Sequence, residues 1–280
     1  MQRQEGLAAM NIKEFIPLET DDRSGPDPAD TGLGRFSGAT DIAVGPMLAC
    51  LDPGCDMLDL CCGPGNLSAA AHARGFRVTG IDASRELLAH AHDRAPGAVF
   101  FVGDAQQMPF DDGVFDAVTC GFGLMQLPDQ TKALAEVARV LRPGGRFVLA
   151  SWHGPDVSPA FALLYGSVLA HGAAGLKRPD SRGAHRLSRE RSARMLFDKA
   201  GLTLDRFDTV TCTWDLDDPA GVIDLFRTGA PHTGALLNDQ PEENLQAIRN
   251  AIAGRVREDF ARDTGWRVPM PAALAVGTRR

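Results

Sequence analysis

Aromatic residues are scarce in this chain of 280 residues, which has one tyrosine and three tryptophans. No apolar run reaches the roughly 18 residues that a membrane-crossing helix needs, so no membrane span is expected. Positive charge is also in deficit, with 29 Lys and Arg against 36 Asp and Glu and a formal charge of -7. Phosphate backbones require a basic field, so no nucleic-acid partner is expected. The six cysteines, at positions 50, 55, 61, 62, 120 and 212, form no C-x-x-C pair and have no histidine at ligand spacing. Hence no metal is expected. A bridge between adjacent Cys61 and Cys62 would be strained, and small side chains suit a tight backbone turn at that point. The start, Met1-Gln2-Arg3-Gln4-Glu5, lacks the charged-then-apolar order of a secretory leader. A cytoplasmic protein with reduced thiols is the expectation.

What is present is a regular rhythm. A hydrophobic content of 44% over this length can bury a full core and fits one elaborated domain. Residues 1–35 hold the turn-forming, acidic stretch from Asp21 to Asp30 behind Phe15, Ile16 and Leu18, and read as an N-terminal arm or lid. From Phe36 onward, short apolar runs alternate with helical stretches, which signals an α/β fold with a largely parallel sheet. Strands are predicted at 57–60, 77–81, 99–102, 115–120, 146–151, 204–211 and 268–276. Helices are predicted at 129–141, around 161–169 and at 188–200, with two more inside 218–265. Ser84 is placed to cap another helix. Right-handed crossovers put the C-terminal strand ends on one edge, where ligands bind in such sheets.

The stretch DLCCGPGNLS (59–68) follows the first strand and opens a helix. Gly63 and Gly65 let a ligand approach the backbone because no Cβ intervenes. Asp82 ends the second strand 17 residues after Gly65, where a carboxylate can accept both hydroxyls of a ribose. A dinucleotide turn would read G-x-G-x-x-G, but Ser68 holds the third place, which weakens a nicotinamide enzyme. Asp104 and Ala105 directly follow the third strand and suit the amine and ring nitrogen of an adenine. Cys120-Gly121-Phe122-Gly123 follows the fourth. Three such strand ends can hold an adenosine without pyrophosphate.

In these motifs the chain resembles the class I S-adenosylmethionine-dependent methyltransferases, nearest to the branch of quinone-biosynthesis C-methyltransferases and small-molecule methyltransferases. FDDGVFDAVTC (110–120) and EVARVLRPGGRFVLASW (136–152) carry the likeness most closely, and GWRVPMPAALAVGTRR (265–280) resembles the family's closing strand. The resemblance is good over 36–151 and loose over 152–265. It implies a doubly wound, mostly parallel seven-stranded Rossmann-like sheet within 36–280, with helical cap segments at about 154–185 and 213–265. It also implies S-adenosyl-L-methionine as cofactor, a small-molecule acceptor, and a monomer or homodimer. By position, Cys61, Gly63 and Gly65 fall against the methionine part, Asp82 and Ala83 at the ribose, Asp104 and Ala105 at the adenine, and Leu60, Cys120 and Gly121 near the sulfonium. The adjacent Cys61-Cys62 pair departs from the family's usual turn.

Methyl transfer from a sulfonium is an in-line displacement that orientation alone can accelerate, so a catalytic base is optional. His153, two residues past the fifth strand, is the candidate base. Phe122, Met125, Trp152, His153 and Tyr165 are expected to wall an acceptor pocket, built from the arm, the 122–127 loop and the insertion after His153. The run 177–194 holds seven Lys or Arg, a solvated face or an attractor for an anionic acceptor. The alternative function is a protein that keeps the nucleoside structurally, as a cyclase-like or isomerising enzyme or a binding module.

Overall fold

Alternating side chains divide the central strands between two apolar layers. In β1 (Asp56–Leu60), Met57 joins one buried cluster while Leu58 and Leu60 join the other, as the two-residue period of a pleated strand requires. A computed structural model of the chain describes residues 32–174, 181–229 and 231–280. The expected arm therefore lies outside the described residues except for its final few.

β2 (Arg77–Asp82), β3 (Val99–Val102), β4 (Phe115–Gly121), β5 (Leu141–Trp152) and β6 (Leu202–Val210) join β1 and a late strand, β9 (Ala272–Arg279), in one sheet. The order is β3-β2-β1-β4-β5-β9-β6. Pairs among the first five are parallel, and β9 runs antiparallel between β5 and β6. This is the largely parallel α/β sheet that the alternating pattern signalled, with the seven strands and doubly wound order that the family resemblance implied. β7 (Thr213–Leu216) and β8 (Trp266–Pro269) form a separate antiparallel ribbon.

Helices α1 (Gly32–Leu48), α2 (Asn66–Ala73) and α3 (Arg85–Arg94) cover one face, and α4 (Gln130–Val140) covers the other. α4 forms because Leu134, Val137 and Ala138 repeat at helical spacing and Asp129 caps it, accepting from the amides of Thr131 and Lys132 at 3.0 Å. Leu134 is fully buried, so Leu134→Ala should cost about 2–5 kcal/mol. Ser84 caps α3 as expected, its hydroxyl accepting from the Leu87 amide at 3.2 Å. At the N-terminal edge of the sheet, Asp56 pairs with Arg77 at 2.6 Å and Asp116 pairs with Arg142. These pairs are partly exposed, and such pairs contribute at most about 1 kcal/mol each.

The C-terminal half departs from expectation in detail. α5 (Pro159–His171) is longer than foreseen because Pro159 sits in its first turn after the Ser158 cap. A single turn, α6 (Ser181–Ala184), follows, and α7 (Glu190–Ala200) begins two residues late. The region 218–265 holds three helices, not two: α8 (Gly221–Gly229), α9 (Pro231–Asn238) and α10 (Glu242–Asp259), with Pro231 and Pro241 at the breaks. The expected last strand is split into β8 and β9 by Met270-Pro271, since a proline there cannot donate to a ladder. α8 packs on α1, which brings this late segment over the ligand edge.

Candidate active site

The strand ends meet at a cavity of about 700 Å3. Its floor is the turn after β1. There the backbone takes left-handed conformations at Cys61 (φ 57°), Gly63 (φ 53°) and Gly65 (φ 82°). The two glycines serve different ends. A Cβ on Gly63 would meet nothing within 4 Å, so its bare face opens to the cavity, whereas a Cβ on Gly65 would lie 2.8 Å from Cα and Cβ of Ala91. Gly65 therefore lets α2 and α3 approach, and the structure does not bring it to the cavity wall.

Asp82 is the anchor of this turn. Its Oδ2 accepts from the Gly63 amide at 2.9 Å and its Oδ1 from the Ser84 amide at 2.9 Å, so one carboxylate binds the turn after β1 to the start of α3. Each carboxylate oxygen keeps a further lone pair for a ligand. Ala83 lies beside it on the wall. Asp104, at the end of β3, is exposed; its Oδ1 accepts from the Gln106 amide at 2.8 Å, and this bond holds its carboxyl below the usual carboxylate range. Ala105 forms the adjoining apolar slot.

At the opposite end, Gly121 and Phe122 follow β4. Phe122 has φ 65°, which turns its ring onto Trp152 with centroids 4.0 Å apart, and both line the cavity. Cys61 lines it as well, its thiol pushed well above the ordinary range by a hydrogen bond with Cys120 and by burial. Cys120 and Leu60 are fully buried one layer beneath, behind the wall. Met125 is also a layer away, its sulfur 3.9 Å from Ser151 Oγ.

His153 is not brought to this cavity. It is 6% exposed, its Nε2 lies 3.1 Å from Thr209 Oγ1, and burial pushes its pKa down. The strand simply continues past Ser151, and Trp152 takes the wall position while the next side chain turns away into the β6 contact. Tyr165 likewise packs elsewhere, stacked on Phe161 at 5.8 Å, with burial raising its phenol to about 12. None of the described residues of 154–185 lines the cavity, whereas α8 and α9 do. Of the basic stretch, Lys177 to Asp180 lie outside the described residues. Arg189 pairs with Asp156 at 3.6 Å, Arg194 with Glu190 at 2.8 Å, and buried His185 holds the Trp152 carbonyl at 2.9 Å.

Among the lining residues that sequence reasoning did not single out by name, Asp59, Gln126 and Arg227 are polar. Asp59 lies on the α2 side of β1 and lines the cavity; it is 1% exposed, held by Ser68 Oγ at 2.6 Å and Thr119 Oγ1 at 3.3 Å, and burial raises its carboxyl to about 7. An acid inside the apolar strand MLDL was the signal. Gln126 lines the wall from the 124–126 turn, and its Oε1 is buried with no hydrogen-bond partner among the described residues. Arg227 arrives from α8, which no local motif announces. Among the described residues no group of three or more His, Cys, Asp or Glu could hold a metal ion, and no helix is long and apolar enough to cross a membrane.

Residues 58–149 match the family model described as a methyltransferase domain. The demethylmenaquinone methyltransferase of Beutenbergia cavernae is 43% identical over 117 residues, which is 42% of this chain and 48% of that protein. The enzyme of the same name from Mycobacterium marinum is 42% identical over 115 residues, 41% and 48% of the two chains. The chain thus spans about half the length of the curated relatives it matches. A Bacillus halodurans structure described as a methyltransferase shares the fold over 86% of this chain and 99% of that one, with a TM-score of 0.56 and 21% identity. The [4+2]-cyclase SpnF does so over 85% and 81%, with a TM-score of 0.53 and 20% identity. At these identities the likeness is one of fold.

Proposed function

We propose that this chain, which carries a class I S-adenosylmethionine-dependent methyltransferase domain, transfers a methyl group from S-adenosylmethionine to a small organic acceptor. The observation that carries the reading is the Asp82 carboxylate, which is bonded to the Gly63 amide below an open glycine face and has lone pairs left for a ribose. The bare face of Gly63 and the apolar slot at Ala105 fit a nucleoside without pyrophosphate.

Bound S-adenosylmethionine supplies an electrophilic methyl on a positively charged leaving group. The protein's part is to hold and to exclude. Asp82, held by the Gly63 amide, fixes the ribose end, Asp104 and Ala105 the adenine end, and Cys61 and Gly121 the end where the methyl is handed over. Phe122 and Trp152 form a flat apolar wall there. α8 and α9 act as a cap on that end, and His185 holds the Trp152 carbonyl at the end of β5.

His153 has its Nε2 engaged with Thr209 away from the cavity, so the reading rests on orientation rather than on a histidine base. Orientation can contribute about 7–11 kcal/mol to such a displacement. The test is incubation with methyl-labelled S-adenosylmethionine and a panel of phenols, amines and carbon acids. Labelled product together with S-adenosylhomocysteine supports the reading. Tight nucleoside binding with no S-adenosylhomocysteine for any acceptor would favour the structural use of the nucleoside.

A further inference from the structure

Among the described residues the cavity wall carries four aspartates, Asp41, Asp59, Asp82 and Asp104, and a single basic side chain, Arg227. Arg227 sits on α8, and its Nε donates to Asn238 Oδ1 of α9 at 3.0 Å. No other hydrogen bond or ion pair of this side chain forms among the described residues. The neighbouring cap arginine behaves differently: Arg249 is spent in a two-pronged contact with Asp224, at 2.8 Å through each nitrogen. Asn238 thus fixes the plane of the Arg227 guanidinium and leaves Nη1 and Nη2, with four N–H groups, unclaimed. A half-buried, oriented guanidinium of this kind matches a planar two-oxygen anion.

A second unclaimed polar group lies on the same wall. The Gln126 carboxamide, whose Oε1 has no partner among the described residues, lines the same cavity as the Phe122–Trp152 pair that forms the flat wall. A buried amide oxygen left without a donor costs stability, and a ligand donor can relieve that cost. Cation, amide and flat apolar surface together describe a ligand with an acidic group on a planar body.

We propose that the acceptor is a planar organic acid whose carboxylate is bound by Arg227, oriented by Asn238, while its ring lies against Phe122 and Trp152. The proposal rests on the methyl-transfer reading above and names the acceptor class for that same site. It places an anion-attracting role on α8; in the 177–194 run, Arg189 and Arg194 are paired with Asp156 and Glu190. Asn238 is a positioning residue that acts through the guanidinium.

The test uses the full chain loaded with S-adenosylhomocysteine, whose dissociation constant is measured first by calorimetry. Benzoate, cinnamate and 2-naphthoate are then each titrated against the corresponding carboxamide. At least one carboxylate should bind tenfold or more tightly than its amide. Arg227→Gln should abolish that preference while S-adenosylhomocysteine affinity stays within twofold. Arg227→Lys should retain part of it, and Asn238→Ala should reduce it, with unchanged thermal midpoints showing that the variants are folded. Three results would overturn the proposal: no carboxylate out-binding its amide, a preference that survives Arg227→Gln, or an Arg227→Gln effect on S-adenosylhomocysteine alone, which would assign the guanidinium to the cofactor's own carboxylate. Wild-type protein that binds no S-adenosylhomocysteine would instead defeat the cofactor reading, and this proposal with it, at the first titration.

Discussion

Gly123 exists for Cys61. A Cβ built on Gly123 would collide with Cys61 Cβ and would lie 3.0 Å from Cys61 Sγ and 3.4 Å from Cys120 Sγ. Cys61 itself is held at φ 57°, a conformation that costs a side-chain-bearing residue about 1–2 kcal/mol. The ends of β1 and β4 are thus packed against each other through a strained thiol and a missing side chain. Gly123→Ala should destabilise the protein by about 1–3 kcal/mol and weaken S-adenosylhomocysteine binding, since the clash is with a Cβ that cannot swing away. Adding Cys61→Gly should recover most of both losses. A double-mutant cycle by thermal denaturation and calorimetry checks this, and additive effects would refute the coupling.

Asp82→Ala removes the common acceptor of the Gly63 and Ser84 amides as well as the proposed ribose partner. Cofactor affinity should fall at least tenfold, about 1.4 kcal/mol. Calorimetry decides it; an unchanged dissociation constant contradicts the assignment.

Asp104→Ala should act more narrowly. The carboxylate is on an exposed turn and is proposed to sense the adenine amine, so the variant should discriminate less between S-adenosylhomocysteine and its inosine analogue. Equal discrimination by wild type and variant in competition binding would place the adenine elsewhere.

Burial raises the Asp59 carboxyl from 3.8 to about 7, so between those values the folded protein holds a proton that the unfolded chain has released. Its contribution to stability is therefore full below pH 4, falls as pH rises through that window, and is flat above about 7. The total is a few kcal/mol at about 1.4 kcal/mol per pKa unit. Asp59→Asn should flatten the stability profile between pH 4 and 7. A positively charged ligand in the cavity favours the carboxylate, so S-adenosylmethionine binding near pH 6.5 should release a proton, read as a buffer-dependent binding enthalpy. A buffer-independent enthalpy would remove Asp59 from contact with the ligand's charge.

His153→Ala should leave turnover within about twofold of wild type, because the ring faces Thr209 and not the cavity. It should cost about 1–3 kcal/mol of stability through the lost buried hydrogen bond. A hundredfold loss of turnover with intact cofactor affinity would restore it as a base.

The sheet was legible because its strands are short apolar runs and its helices, such as α4, carry both periodicity and a cap. The turn at 61–65 and the acids at 82 and 104 were legible because strand ends in such sheets share one edge. What escaped depends on contacts distant in sequence. Gly65 and Gly63 look alike as letters, and only Ala91 on α3 distinguishes the packing glycine from the open one. His153 follows the strand end in sequence, but the strand's alternation gives the wall to Trp152. Arg227 joins the cavity only because α8 folds back onto α1, more than 170 residues earlier, and no local pattern records that.

Whether this strand-end cavity holds S-adenosylmethionine is decided by a crystal structure of the chain grown with S-adenosylhomocysteine. Ribose hydroxyls should lie at the Asp82 carboxylate, the adenine between Asp104 and Ala105, and the sulfur beside Cys61 and Gly121, opening toward Phe122. Density for the nucleoside at any other place, or a cavity that stays empty at saturating ligand, would contradict it.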